Sequence, residues 1–92
     1  MEISFDEAKR QKTLAERGLD FLDSVHVFAD VHFDVPDDRF DYGEPRIATF
    51  GLLGGRMITL VWTPRGAARR IISMRYANDR ERARFKKHLD RP

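Results

Sequence analysis

The segment from Arg69 to Tyr76 sets three arginines, Arg69, Arg70 and Arg75, among residues of strand type, and the chain then places Arg80, Arg84, Lys87 and Arg91 at steps of four, three and four. On a helix those steps fall on one face and make a basic stripe with no carboxylate in it. Guanidinium offers a planar fork of donors that fits the oxygens of a phosphate, and a row of cations tracks a nucleic-acid backbone. Two other readings account for the same residues without a ligand: a solvated helix face, and a salt bridge from Arg75 to a carboxylate of the acidic N-terminal half. Other chemistries find little support. With no cysteine there is no thiolate nucleophile, disulfide or Cys-built metal site, and His26, His32 and His88 lack metal-ligand spacing, so no metal or other cofactor is expected. His88, among cations, reads as a solvated side chain, and His26 and His32 as structural. No phosphate-binding glycine loop or Ser-His-Asp set is present, and Asp34, Asp37, Asp38 and Asp41 read as turn formers beside Pro36.

The elements that must position these residues follow from punctuation and period. A strand over Glu2 to Phe5 leads to Asp6, which caps a helix running to Arg17 and stopped by Gly18. Asp20 caps a second, short helix whose apolar face is Phe21, Val25 and Phe28, with Leu22 and Ala29 alongside. From His32 the period becomes that of strands. Arg46 to Leu52, Arg56 to Thr63 and Ala68 to Tyr76 form an antiparallel meander, joined at Gly54-Gly55 and Pro64-Arg65-Gly66. Asn78 and Glu81 form a capping box for a last helix, whose apolar residues Ala83, Phe85 and Leu89 suggest weak docking. The order β-α-α-β-β-β-β-α predicts an α+β fold with the two early helices on one face of an antiparallel sheet and the other face open.

Within the last strand, strict alternation puts Arg69, Ile71, Ser73 and Arg75 on one face and Arg70, Ile72, Met74 and Tyr76 on the other. In the strand before it, Ile58, Leu60 and Trp62 make the better core face, which leaves the threonines and Ser73 for the open one.

At 92 residues the chain is expected to be a single domain, small enough that a partner chain would add to its stability. Neither a signal peptide nor a run long enough to span a membrane is evident, so the expected compartment is the cytoplasm. The net charge of +2 conceals an asymmetry: residues 1–46 hold six Lys+Arg against twelve Asp+Glu, or −6, and residues 47–92 hold eleven against three, or +8. All the later cations except Lys86 and Lys87 are arginine, which suits nucleic acid, unless the two halves pair with each other in the fold.

Phe5-Asp6 with Lys9, Gly18-Leu19-Asp20-Phe21, Asp38-Arg39 with Asp41-Tyr42-Gly43-Glu44 and Arg46, Arg70-Ile71-Ile72-Ser73-Met74-Arg75 with Ala77, and Glu81-Arg82 occur in that order along the chain. Together they resemble the BrnT family of type II toxins, partners of BrnA antitoxins. The resemblance implies a RelE-like α+β fold and a metal-independent endoribonuclease that arrests growth by cutting RNA. It also implies neutralisation by a ribbon-helix-helix antitoxin, with two toxins and two antitoxins in the complex. On that basis Arg70 and Arg75 would contact the scissile phosphate and Arg65, Arg80 and Lys9 would hold the strand, with Arg84 and Lys87 adding RNA contacts. Proton transfer would fall to Lys9, His88, Glu81 or water, because guanidinium keeps its proton. The chain departs from the family pattern at Thr13, Glu16 and Arg17, where Asn and Lys-His are usual, and at Phe85, where Tyr is common. A binding module that sequesters antitoxin or RNA without cutting is the alternative.

Overall fold

A computed structural model describes residues 1–90 of the chain. The elements are strand β1 (Glu2–Ser4), helix α1 (Glu7–Arg17), a 3₁₀ turn (Phe21–Asp23), helix α2 (Ser24–Ala29), strands β2 (His32–Pro36), β3 (Ile47–Leu53), β4 (Arg56–Arg65) and β5 (Ala68–Tyr76), and helix α3 (Asp79–Leu89). The five strands form one sheet in the order β1-β5-β4-β3-β2. Strands β2 to β5 are an antiparallel meander, but β1 runs parallel to β5, with Glu2, Ile3 and Ser4 opposite Ala68, Arg69 and Arg70. The sheet is therefore mixed rather than wholly antiparallel. Parallel neighbours need a long crossover, and everything from α1 to β4 provides it. No helix among the described residues is long and apolar enough to cross a membrane.

Helix α1 begins where Asp6 Oδ1 accepts from the backbone N–H of Ala8 and Lys9 at 2.8 and 3.2 Å, and it ends at Gly18. It buries no residue. Polar ties hold it instead: Arg10 donates from Nε and Nη2 to Asp20 at 2.8 and 3.0 Å, and Arg17 Nη1 donates to the carbonyl oxygen of Met74 at 2.9 Å. Arg17 thus has a structural partner on β5.

The expected second helix opens as a 3₁₀ turn, and its tighter winding changes which residues face inward. Phe21, Ser24, Val27 and Phe28 are buried, whereas Leu22 is exposed and Val25 only partly covered, so the anticipated Phe21-Val25-Phe28 face is corrected at its middle position. Phe21, Val27, Phe28 and Leu19 pack against Ile58, Leu60 and Trp62 of β4 and Ile71 and Met74 of β5, which is the core face that alternation in β4 predicts.

The opposite face is not open. Helix α3 lies on it, burying Phe85 and Leu89 in a second cluster with Phe50, Met57 and Ala77. The Phe85 ring stacks on Phe50 at 4.1 Å and lies 5.3 Å from Phe33, so docking is stronger than three scattered apolar residues suggest, even though Ala83 is exposed. His88 is exposed yet stacked on Phe33 at 4.3 Å, which corrects its reading as a purely solvated residue.

Two local features position the basic residues. Gly54 and Gly55, at φ 59° and 80°, make the two-residue hairpin that fixes the β3–β4 register. The β4–β5 register then slips by one: Trp62 faces Ile71 while Val61 faces Ser73, so Ile72 is an extra residue in β5. Strict alternation therefore fails there. Arg70, Ser73 and Arg75 share the α3 face, opposite Thr63, Val61 and Thr59, and Ile71 and Met74 share the other. The turn after β4 comes later than expected, because Pro64 and Arg65 remain paired in the strand. Strand β3 begins opposite Trp62, so the N–H that Pro64 lacks faces no β3 neighbour.

Candidate functional site

Where α3 leaves the sheet, a cleft of about 420 Å³ opens between its first turns and strands β2 to β5. Its floor is apolar, formed by Val35, Ala48, Phe50, Val61 and Phe85, and its rim carries Arg39, Arg75, Arg80 and Arg84. Two carboxylates, Asp37 and Glu81, are the only acids in the lining among the described residues, whose four cations less two anions leave an excess of two positive charges.

Arg75 is the best-anchored cation. Its place opposite Thr59 on β5 aims it at the start of α3, where Nη1 donates to Glu81 Oε1 at 2.7 Å and Nη2 to Oε2 at 2.8 Å. The same carboxylate accepts from Thr59 Oγ1 at 3.2 Å and from the backbone N–H of Asn78 at 3.0 Å, while Asn78 Oδ1 accepts from the N–H of Glu81 at 2.8 Å. The capping box read from the sequence is thus also the socket of an arginine. The Arg75 fork, with the Asn78 and Thr59 bonds, holds the Glu81 carboxyl below the ordinary carboxylate range against a smaller opposing effect of burial. Glu81 is therefore an anion at neutral pH and has no proton to give. Arg75 is reciprocally raised above its ordinary value by Glu81, with Arg39 close enough to oppose it weakly. With 37% of its side chain exposed and its Nε–H unpaired among the described residues, Arg75 still has a donor to offer the cleft.

Arg39 reaches the rim from the β2–β3 loop. Its Nε and Nη2 donate to Asp37 at 2.8 and 3.1 Å, and that pairing keeps the Asp37 carboxyl low in pKa. Arg80 and Arg84 form no ion pair among the described residues; Arg84 lies over the Phe85 ring, 4.9 Å from its centroid.

The structure brings Arg75, Arg80 and Arg84 together and sets the other anticipated residues apart. Arg70 shares the face of Arg75 and has no partner among the described residues, but it lies five residues away along β5, or about 16 Å. Lys9 lines a separate hollow between α1 and β5, with Lys12, Arg17 and Ser73. Arg65 donates to Glu44 Oε1 at 3.1 Å, which is one contact between the basic and acidic halves. Lys87 is exposed on α3 outside the lining of the cleft, and Arg91 lies outside the described residues. The salt-bridge partner anticipated for Arg75 is real, but it comes from the basic half rather than the acidic one. Asp37 reads from the sequence as a turn former and Arg39 as part of the family resemblance, and neither reading pairs them at the cleft; their spacing at i and i+2 is the available signal. Among the described residues no group of His, Asp or Glu is arranged to hold a metal ion, and no histidine lines the cleft.

A family model described as the ribonuclease toxin BrnT of type II toxin-antitoxin systems matches residues 5–81. The matched stretch runs from the α1 cap to Glu81 and so contains both Arg75 and its anchor. No curated protein matches the chain.

Proposed function

Since the chain belongs to the BrnT family, the ribonuclease toxins of type II toxin-antitoxin systems, we propose that it is a metal-independent endoribonuclease whose RNA site is the arginine cleft beside α3. The observation that carries this reading is Arg75, a guanidinium fixed through both terminal nitrogens in a cleft with excess positive charge. In metal-free cleavage the 2′-hydroxyl attacks the adjacent phosphorus, the P–O5′ bond breaks, and a 2′,3′-cyclic phosphate and a 5′-hydroxyl result. Charge builds on the phosphorane oxygens. A donor already held in place by Glu81 stabilises that charge without reorganising during the reaction. Arg80 and Arg84 bind flanking phosphates, and Arg70 and Lys87 extend the track along the sheet and helix. Lys9 and Arg65 contact the strand further out.

Among the described residues the cleft holds no group suited to proton transfer near neutral pH: its two carboxylates are paired with arginines and its other charged groups are guanidinium. Protons therefore pass to and from water. A positioned general acid or base contributes roughly 10²–10⁴-fold, so the enzyme is slow and works chiefly by holding the strand for in-line attack. The same lack favours the second reading, a module that binds RNA or antitoxin without cutting. A RelE-like arrangement and action in the cytoplasm, where the RNA is, accompany the first reading. Its partner is a BrnA-like ribbon-helix-helix antitoxin in a two-to-two complex, with acidic side chains that compete for the cleft. An end-labelled single-stranded RNA separates the two activities: the nuclease shortens it and leaves a cyclic phosphate, whereas the binding module retards it at full length.

A further inference from the structure

Phe40, in the loop between β2 and β3, is 68% exposed, more than any other large apolar side chain among the described residues. It is not isolated. Its ring packs edge-on against Tyr42 at 5.8 Å and 77°, and Arg46 lies over the Tyr42 ring at 4.0 Å. On its other side the chain is fixed by the pair of Arg39 with Asp37, whose carboxylate is 4% exposed. Pro36 and Asp37 line both the arginine cleft and the hollow under Phe40 and Tyr42, so the two spaces adjoin.

Charge distinguishes them. Among the described residues the cleft has four arginines to two carboxylates, whereas the hollow is lined by Asp37, Asp38, Asp41 and Glu44 with Arg46 as its one cation. A phosphate is drawn to the first and repelled by the second. An uncharged nucleobase suits the second, because it has a π face for Phe40 and edge donors for a carboxylate. Most of these acids are engaged: Asp37 by Arg39, Asp41 by the N–H of Gly43, and Glu44 by Arg46 and Arg65. Asp38 has no partner among the described residues.

We propose that Phe40 and Asp38 form a nucleobase subsite beside the cleft, which takes an unpaired base adjoining the phosphate bound at Arg75 and prefers guanine to uracil. Guanine presents adjacent N1–H and N2–H donors that match the two oxygens of a carboxylate; uracil presents one N–H between two carbonyls, which a carboxylate repels. The inference rests on reading the cleft as the RNA site.

The test uses 2′-O-methyl octamers, which bind but have no 2′-hydroxyl to attack, with one guanine in uracil or with uracil alone, followed by fluorescence anisotropy. The all-ribose versions are assayed for cleavage in parallel. The wild type should bind the guanine octamer about tenfold more tightly, Phe40→Ala should weaken binding about tenfold, and Phe40→Trp should restore it. Asp38→Asn should abolish the preference for guanine while leaving binding of the uracil octamer in place. Phe40 is exposed, and circular dichroism checks that each variant is folded. Equal binding of the two octamers by the wild type, or unchanged binding by Phe40→Ala, overturns the subsite; loss of antitoxin pairing by that same variant would then make Phe40 a protein contact. Binding with the expected losses but no cleavage supports the subsite and refutes the nuclease reading. Failure of the wild type to bind either octamer overturns both.

Discussion

Arg75 and Glu81 meet at the corner between β5 and α3 through two nitrogen–oxygen contacts of 2.7 and 2.8 Å, so the carboxylate that caps the helix also aims the arginine that faces the cleft. Helix docking and site geometry are one arrangement. Glu81→Gln keeps the shape but removes the charge and half the fork. It should cost about 1–2 kcal/mol of stability, seen as a lower urea midpoint. It should also slow single-turnover RNA cleavage by about tenfold or more, with a much smaller change in RNA affinity. Unchanged cleavage in a folded Glu81→Gln protein would show that the anchor does not serve the site.

The same pair makes stability depend on acid. Arg75 holds the Glu81 carboxyl below its ordinary value of 4.5, and Arg39 and Arg10 act likewise on Asp37 and Asp20. A carboxyl with a folded pKa lower than its unfolded one contributes stability that is fully present above the unfolded value and lost as pH falls through the folded one. The melting temperature should therefore fall below about pH 4.5, and these groups, whose stabilisation is then fully present, should add no pH dependence between roughly pH 6 and 8. Glu81→Gln should flatten part of the acid limb. An identical limb in that variant would assign the acid loss elsewhere.

Phe85 fixes α3 to the sheet by stacking on Phe50, and it is 4% exposed. Phe85→Ala should cost about 3–5 kcal/mol, a large part of the stability of a domain this size. Ala83, on the exposed side of the same helix, should tolerate Gln within about 0.5 kcal/mol. Urea titrations of the two variants compare a buried and an exposed apolar position on one helix.

Gly51 is a close-approach position on β3. A Cβ there would lie 2.5 Å from Cγ1 of Val27, which is itself fully buried. Gly51→Ala should destabilise by about 1–3 kcal/mol, and adding Val27→Ala should recover part of that loss. Simple additivity of the two would show that α2 does not press on β3 at this point.

Much of this architecture is legible in the sequence because its signals are local. Asp6 and Gly18 bracket α1, Gly54-Gly55 sets a hairpin, and Asn78 with Glu81 starts α3. The departures come from tertiary causes. The extra residue Ile72 in β5 cannot be read from alternation, because neither face of Arg69 to Tyr76 is wholly apolar, yet it moves Arg70 to the face of Arg75. The parallel pairing of β1 is a choice between long-range partners. Phe85 and Leu89 are spaced as a helix face, but only the fold sets Phe33 and Phe50 beneath them. For the site, Arg75, Arg80 and Arg84 converge as their charges suggested. Arg39 joins them from a loop whose local sequence reads as a turn and carries part of the family resemblance, but does not by itself place the side chain at the cleft.

The most direct test of the arginine cleft is incubation of the wild type and of Arg75→Ala with a defined single-stranded RNA in EDTA. The wild type should cut the RNA to a 2′,3′-cyclic phosphate in chelator, and Arg75→Ala, folded by circular dichroism, should cut it at least about a hundredfold more slowly. Equal cleavage by the two folded proteins, or cleavage by the wild type that stops in EDTA, would contradict this reading.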